Sequence, residues 1–143
     1  MAAGAFSSFD ISASGMSAER LRMNVIAHNI ANINTTRSTE GGPYQRRYVV
    51  FEEVLADAGR QLDGMIRDVG SGVRVVEVGR DNTDGPQRHL PGHPDADADG
   101  MVRMPNVNPV MEMLDMMSAS RGYEANVMAI SAAKQMILKA LEI

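Results

Sequence analysis

Apolar residues fall at helical spacing at both ends of the chain, and short runs rich in β-branched residues lie between them. Phe9, Met16, Met23 and Ile30 recur at heptad intervals, and Ile26 and Ile33 stand three residues after Met23 and Ile30. That period predicts a helix from about Asp10 to Asn32, with an apolar stripe facing a partner helix. Ser12 and Glu19 interrupt the stripe at equivalent positions, whereas Ala13, Ala18, Ala27 and Ala31 permit close approach. Asp10 or Ser12 offers a cap at the start. Asn29, Asn32 and Asn34 crowd the end, where asparagine tolerates the left-handed backbone that stops a helix.

A second stripe closes the chain. Met116, Tyr123, Ile130 and Ile137 repeat at heptad spacing, Met113, Val127 and Leu141 line the adjacent row, and Ala119, Ala133 and Ala140 keep that side slim. Asn108 followed by Pro109 marks the start, because asparagine caps free amides and proline fits the first turn. The helix is expected to run to about Glu142, with Gly122 weakening it by ~1 kcal/mol relative to alanine. At ~1.5 Å per residue such a helix is on the order of 50 Å long. A body of this size does not cover that length, so part of the stripe must meet the other terminal helix, other subunits, or both. Deprived of such partners the terminal helices are expected to fray in the monomer.

Between the helices the chain reads as turns and strands. Thr35 to Pro43 is polar and ends in Gly41-Gly42-Pro43. Tyr44 to Phe51 is rich in aromatic and β-branched residues and predicts a strand, and Val73 to Val78 predicts another. Glu52 to Leu62 reads as a short helical or irregular excursion, Gly70-Ser71-Gly72 as a turn, and Asp81 to Gly100, with Pro86, Pro91 and Pro94, as loop. The expected fold class is α+β. Residues 1–35 and 108–143 form a discontinuous helical coiled-coil domain, and 36–107 form a small β-rich domain.

Composition narrows the function. The chain has 143 residues, 44% hydrophobic, which suits one compact body with helical arms. The 12 methionines suit surfaces that pack against non-identical neighbours, or an ordinary core in which Met replaces Leu. A net charge of −4 without a basic block argues against nucleic acid and against a polybasic membrane anchor. The absence of cysteine removes disulfides and thiolate chemistry. Met1 to Phe6 carries no basic leader and no long apolar run, so a cleaved secretory signal is not expected, and no segment approaches the ~20 apolar residues of a membrane span.

Candidate chemistry is sparse. His28, His89 and His93 do not offer three converging metal ligands, and Pro91 and Gly92 oppose a helix between the last two. Asp95-Ala-Asp97-Ala-Asp99-Gly100 matches the first half of a calcium loop, but the twelfth position is Asn106 in place of a bidentate glutamate. An acidic turn is the plainer reading. No nucleophile elbow, phosphate-binding fingerprint or cofactor motif is present, so neither catalytic residues nor a cofactor is expected. A helical adaptor in the cytosol and a calcium module using Asp95, Asp97 and Asp99 remain as rival readings.

Four segments carry a family likeness. Ile11 to Thr36, with its asparagine-rich helix end, resembles the N-terminal signature of flagellar axial proteins. His93 to Pro109 and Glu112 to Asn126, together with the closing Lys139-Ala-Leu-Glu-Ile143, are similar to the proximal-rod members of that family. Gly122 departs from the alanine expected after Arg121, and Asn82 to Leu90 is less family-like. The resemblance implies a non-catalytic structural subunit of the rod, the drive shaft that crosses the periplasm and carries torque from motor to hook. It implies export through the flagellar type III apparatus without a cleaved signal. The implied partners are further copies, other rod proteins and the rod–ring adaptor FliE. The expected interface is Phe9, Met16, Met23, Ile26, Ile30, Ile33, Met113, Met116, Tyr123, Asn126, Val127, Ile130, Ile137 and Leu141. Arg121 reads as a solvated position, and Asn126 as one that sets register beside the stripe.

Overall fold

The computed structural model describes residues 2–39, 41–54 and 71–142, with side chains from Ser8 onward. The elements run α1 (Ala2–Ala31), β1 (Arg47–Val54), β2 (Gly72–Arg80), β3 (Gln87–His89), β4 (Met101–Arg103) and α2 (Pro109–Leu141). This is the α+β arrangement of two long terminal helices around a small antiparallel middle. Among the described residues no helix is long and apolar enough to cross a membrane.

The second helix starts where its sequence says. Asn108 Oδ1 accepts from the amides of Val110 at 3.0 Å and Met111 at 3.3 Å, and Pro109 occupies the first turn. The first helix begins earlier than the Asp10 cap suggests. The stretch from Ala2, rich in alanine with its high helix propensity, is already helical, so Asp10 and Ser12 lie inside the helix. At its other end Asn32 Nδ2 donates to the His28 carbonyl at 2.9 Å, and Thr35 Oγ1 donates to Asn32 Oδ1 at 3.1 Å. Side-chain hydrogen bonds at Asn32 satisfy groups that the helix end leaves open.

β1 and β2 pair antiparallel from Arg47↔Arg80 to Val54↔Gly72, with a bulge at Val76 that shifts the register between Val50 and Phe51. The first strand therefore sits three residues later than the composition of Tyr44 to Phe51 suggests. Tyr44 and the Arg46 amide bond to side chains and do not enter a ladder. Of the expected excursion, Glu52 to Val54 belongs to β1, and 55–62 lie outside the described residues, as does Gly70 of the expected turn. The hairpin is seated on α1 by Ser14, whose hydroxyl donates to the Ile11 carbonyl at 2.7 Å and accepts from the Val73 amide at 3.0 Å. Gly72, at φ +125, lies so close that a Cβ there would strike Ser14 Oγ.

The expected loop from Asp81 to Gly100 contains a strand. β3 pairs antiparallel with β4 through Gln87↔Arg103, Arg88↔Val102 and His89↔Met101. The returning turn is closed by Asp97, whose Oδ1 accepts from the amides of Asp99 at 3.0 Å and Met101 at 2.8 Å, and by Gly100 at φ +73. Three-residue strands carry too little periodicity to be read locally. Their pairing depends on the turn and on Val102, which is almost fully buried.

Candidate assembly interface

The two helices lie antiparallel along each other. Four contacts give the order: Asn29 with Glu112, Arg22 with Asp115, Glu19 beside Gly122, and Gly15 beside Asn126. The seam is slim. Ala18, Ile26, Ala119 and Ala133 are its buried apolar residues, and a Cβ on Gly15 would come within 3.0 Å of the Asn126 amide. Asn126 Nδ2 meanwhile donates to the Gly122 carbonyl at 2.9 Å.

At one end the seam closes on a buried polar knot. Asn29 and Glu112 have no solvent exposure at all. Asn29 Oδ1 accepts from the Tyr44 hydroxyl and the Arg47 amide, both at 2.9 Å. Its Nδ2 donates to the Arg47 carbonyl and to Glu112 Oε2, both at 2.8 Å. The full hydrogen-bonding capacity of one carboxamide is thus used. Glu112 Oε1 accepts from Arg46 Nε at 2.6 Å, and the same guanidinium reaches Asp115 at 3.1 Å. Asn106 extends the knot: its Oδ1 accepts from the Arg46 amide at 2.7 Å and its Nδ2 donates to the Asp81 carbonyl at 2.9 Å. Burial pushes the ionisation of the Tyr44 hydroxyl above its usual range, with Arg47 pulling it partly back. These bonds fix α1, α2 and the start of β1 as one body. Asn29, which the sequence suggests as a helix-stopping residue, instead docks the middle of the chain onto both helices.

The seam accounts for only part of the apolar surface. Of the residues expected at an interface, Ile26 is buried inside the chain. Phe9, Met16, Met23, Ile30, Ile33, Met116, Tyr123, Asn126, Ile130 and Ile137 are half-buried, and Met113, Val127 and Leu141 are exposed. At ~100° per residue, Met116, Tyr123, Ile130 and Ile137 share the inward side of α2 with Glu112 and Ala119. Phe9, Met16, Met23 and Ile30 instead lie on the flank of α1, offset from its buried row of Ala18, Ile26 and Asn29. A further stripe lies on the opposite side of α2. Val110 is 64% exposed, Leu114 55%, Met117 54% and Met128 66%. Val110, Leu114 and Met117 are spaced by four and three, a legible signal overshadowed by the longer heptad of the inward face. Arg121 is exposed on this same outer side and interrupts the stripe between Met117 and Met128.

The acidic turn gathers no metal ligands. Asp95 accepts from Thr36 Oγ1 at 2.8 Å and pairs with Arg37 at 2.5 Å, while Asp97 is turned onto backbone amides. The Thr36 hydrogen bond, helped by Arg37, holds the Asp95 carboxyl below its ordinary range. That shift favours the folded form above the usual carboxylate pKa and is lost as pH falls through the lowered value. Among the described residues no three His, Asp or Glu side chains converge on a point where a cation would sit.

Two family models match the chain: "Flagella basal body rod protein" over residues 9–37 and "Flagellar basal body rod FlgEFG protein C-terminal" over residues 98–143. Proteins named flagellar basal-body rod protein FlgC are similar over nearly the whole length. The one from Borreliella burgdorferi is 41% identical, covering 98% of this chain and 97% of its own. The one from Bacillus subtilis is 42% identical, covering 97% of each. The one from Salmonella typhimurium is 39% identical, covering 93% of this chain and 92% of its own. The chain belongs to the FlgC family of flagellar basal-body rod proteins.

Both matched segments meet in the FlgC-family structure. The first covers most of α1 with Asn29, Thr36 and Arg37; the second covers β4 and all of α2 with Glu112. The seam and the knot join one segment to the other, and the Thr36–Asp95 tie joins the first to the turn between β3 and β4. Gly122 lies where a Cβ would stand 3.1 Å from Glu19 Oε1. That carboxylate is the far end of a flexible side chain, and its ion partner among the described residues is Arg22, 3.9 Å away. It therefore moves aside easily, and the helix propensity of alanine decides the sign. Gly122→Ala is expected to raise the melting temperature by about 2 °C, since ~1 kcal/mol of helix propensity is gained. A lower melting point would mean that Glu19, whose Oε2 is buried without a hydrogen bond, is wedged in place.

Proposed function

We propose that this rod-family chain is a non-catalytic structural subunit that polymerises through its terminal helices into the axial drive shaft between motor and hook. The helices 1–35 and 108–143 then form an inner coiled-coil layer, and 36–107 form a β-rich domain fixed to it by the Asn29 knot. One observation carries the reading: besides the side of α2 that faces α1, the far side carries large apolar residues that this chain leaves exposed. A stripe of Val110, Leu114, Met117 and Met128 left in water suits a helix meant for a neighbour. In a helical array each copy presents two different patches, so the outer stripe of one copy meets another surface of the next. Each apolar side chain fully covered contributes ~1.5–3 kcal/mol before ordering costs, and repetition around the lattice makes a stiff tube.

The neighbours in this reading are further copies, other rod proteins and the rod–ring adaptor FliE. The location is the proximal rod within the periplasm, reached by type III export without removal of a signal. The test is to tag the chain in a motile bacterium and purify basal bodies. The tagged chain should copurify with them, and deletion should leave cells without hook or filament. Recovery solely in the soluble cytosolic fraction would make the protein an adaptor instead.

A further inference from the structure

A polar cleft of about 610 Å³ opens where α1 ends, between the segment leading to Tyr44 and the loop after β2. Arg37, Arg47, Arg80 and Arg103 line it, together with His28 and, among the described residues, a single carboxylate, Asp84. Among the described lining residues the charge is thus opposite in sign to the chain's net −4. The walls are held in place by hydrogen bonds. On one side the Tyr44 amide donates to the Thr35 carbonyl at 2.9 Å and the Ser38 amide to Gly42 at 2.8 Å. On the other, Asn106 Nδ2 holds Asp81 and Thr83, and the Met104 amide donates to Pro86 at 2.9 Å.

We propose that this cleft is a receptor for carboxylates, and that its occupant is an acidic peptide segment of another protein. The guanidinium groups already show what they take. Arg103 pairs with Asp84 at 2.9 Å and Arg37 with Asp95, so carboxylates satisfy them within the chain. Arg80 makes an interaction of its own as well. Arg47 differs. Its guanidinium stands 5.9 Å over the Tyr44 ring, and no carboxylate pairs with it among the described residues. The Arg103–Asp84 pair is half or more exposed on both sides, so its net stabilisation is small and an incoming carboxylate exchanges with Asp84 at little cost. Forked guanidinium donors match the two oxygens of a carboxylate, and several along one cleft read spaced acidic side chains better than one small ion. The lining is largely polar, which disfavours an apolar ligand.

The inference does not depend on polymerisation, because its test uses a free peptide. The full-length chain is titrated with hexaglutamate at low ionic strength, with hexalysine and inorganic tripolyphosphate in parallel, and binding is followed by calorimetry. Hexaglutamate should bind saturably, hexalysine should not, and added salt should weaken the binding. Arg47→Gln and Arg103→Gln should each weaken it by about threefold to tenfold, with the melting temperature of each variant checking that the chain stays folded. Arg88→Gln, on exposed β3 outside the cleft, should leave it unchanged. No saturable binding of hexaglutamate, or binding indifferent to the Arg47 and Arg103 substitutions, would overturn the proposal. So would saturable binding of tripolyphosphate alone, which would make the cleft a phosphate site.

Discussion

Replacing Asn29 with alanine should lower the melting temperature by about 10 °C, the largest loss expected from any single side-chain truncation in this chain. The substitution removes little apolar contact. Its effect lies in what it leaves behind: Tyr44 Oη, Glu112 Oε2 and both backbone groups of Arg47 lose a partner at once, in a place closed to water. Each buried polar group left without a hydrogen bond costs ~1–3 kcal/mol, and some recover by local adjustment, so a total of roughly 3–5 kcal/mol is expected. For a domain of this size that corresponds to about 10 °C. Asn29→Asp separates polar pairing from packing. It keeps the shape but removes the donor to Glu112 and sets a second carboxylate beside the first. Two carboxylates so close do not both stay ionised, and the pair's native pKa rises above its unfolded value. The aspartate variant should therefore be weaker than the alanine variant at neutral pH and regain stability as pH falls into the carboxylate range. Thermal melts across pH read both effects. An alanine variant melting within a degree or two of the parent would show that the knot is an ornament of the fold.

Leu114→Asp should have the opposite profile: an intact monomer and a failed assembly. Leu114 is 55% exposed and lies on the side of α2 away from α1, so the change should alter monomer stability by no more than ~0.5 kcal/mol. If a neighbouring subunit covers the stripe, a carboxylate placed there loses the apolar burial and must be desolvated as well. That weakens each contact by about 100-fold on the scale of ~1.5–3 kcal/mol per buried side chain. Motility complementation and recovery of the variant in purified basal bodies are the readouts. Ile130→Asp is the useful contrast, because Ile130 faces the seam with α1. It should lower the melting temperature as well as block incorporation. Normal rods built from the Leu114→Asp chain would remove the outer stripe from the interface.

The sequence disclosed its local chemistry accurately. The Asn108-Pro109 start of α2, two long terminal helices and a strand around Val73 to Val78 all depend on residues within one turn or one strand of each other. The family likeness was equally legible, because its motifs are contiguous runs. Positions that depend on distant partners were not. Nothing near Asn29 in the chain distinguishes a docking amide from a helix-ending one, since three of its four hydrogen bonds go to Tyr44 and Arg47 and the fourth to Glu112. Tyr44 has strand composition, yet its hydroxyl is drawn to α1, and β1 begins only after it.

Periodicity and packing parted in the same way. The heptad of Phe9, Met16, Met23 and Ile30 identified a helix correctly, but the seam uses Gly15, Ala18, Ile26 and Asn29. Close approach of two backbones favours small residues, and a hydrophobicity pattern does not weigh them. The amino-acid order therefore determined which segments are helical, where α2 starts and which family the chain belongs to, because backbone propensity and capping act over a few residues. Only the folded chain decided which side of each helix faces inward and which apolar stripe is left in water. Those choices are set by hydrogen bonds and steric fit between residues far apart in sequence, whose free energy exists only once both ends have arrived.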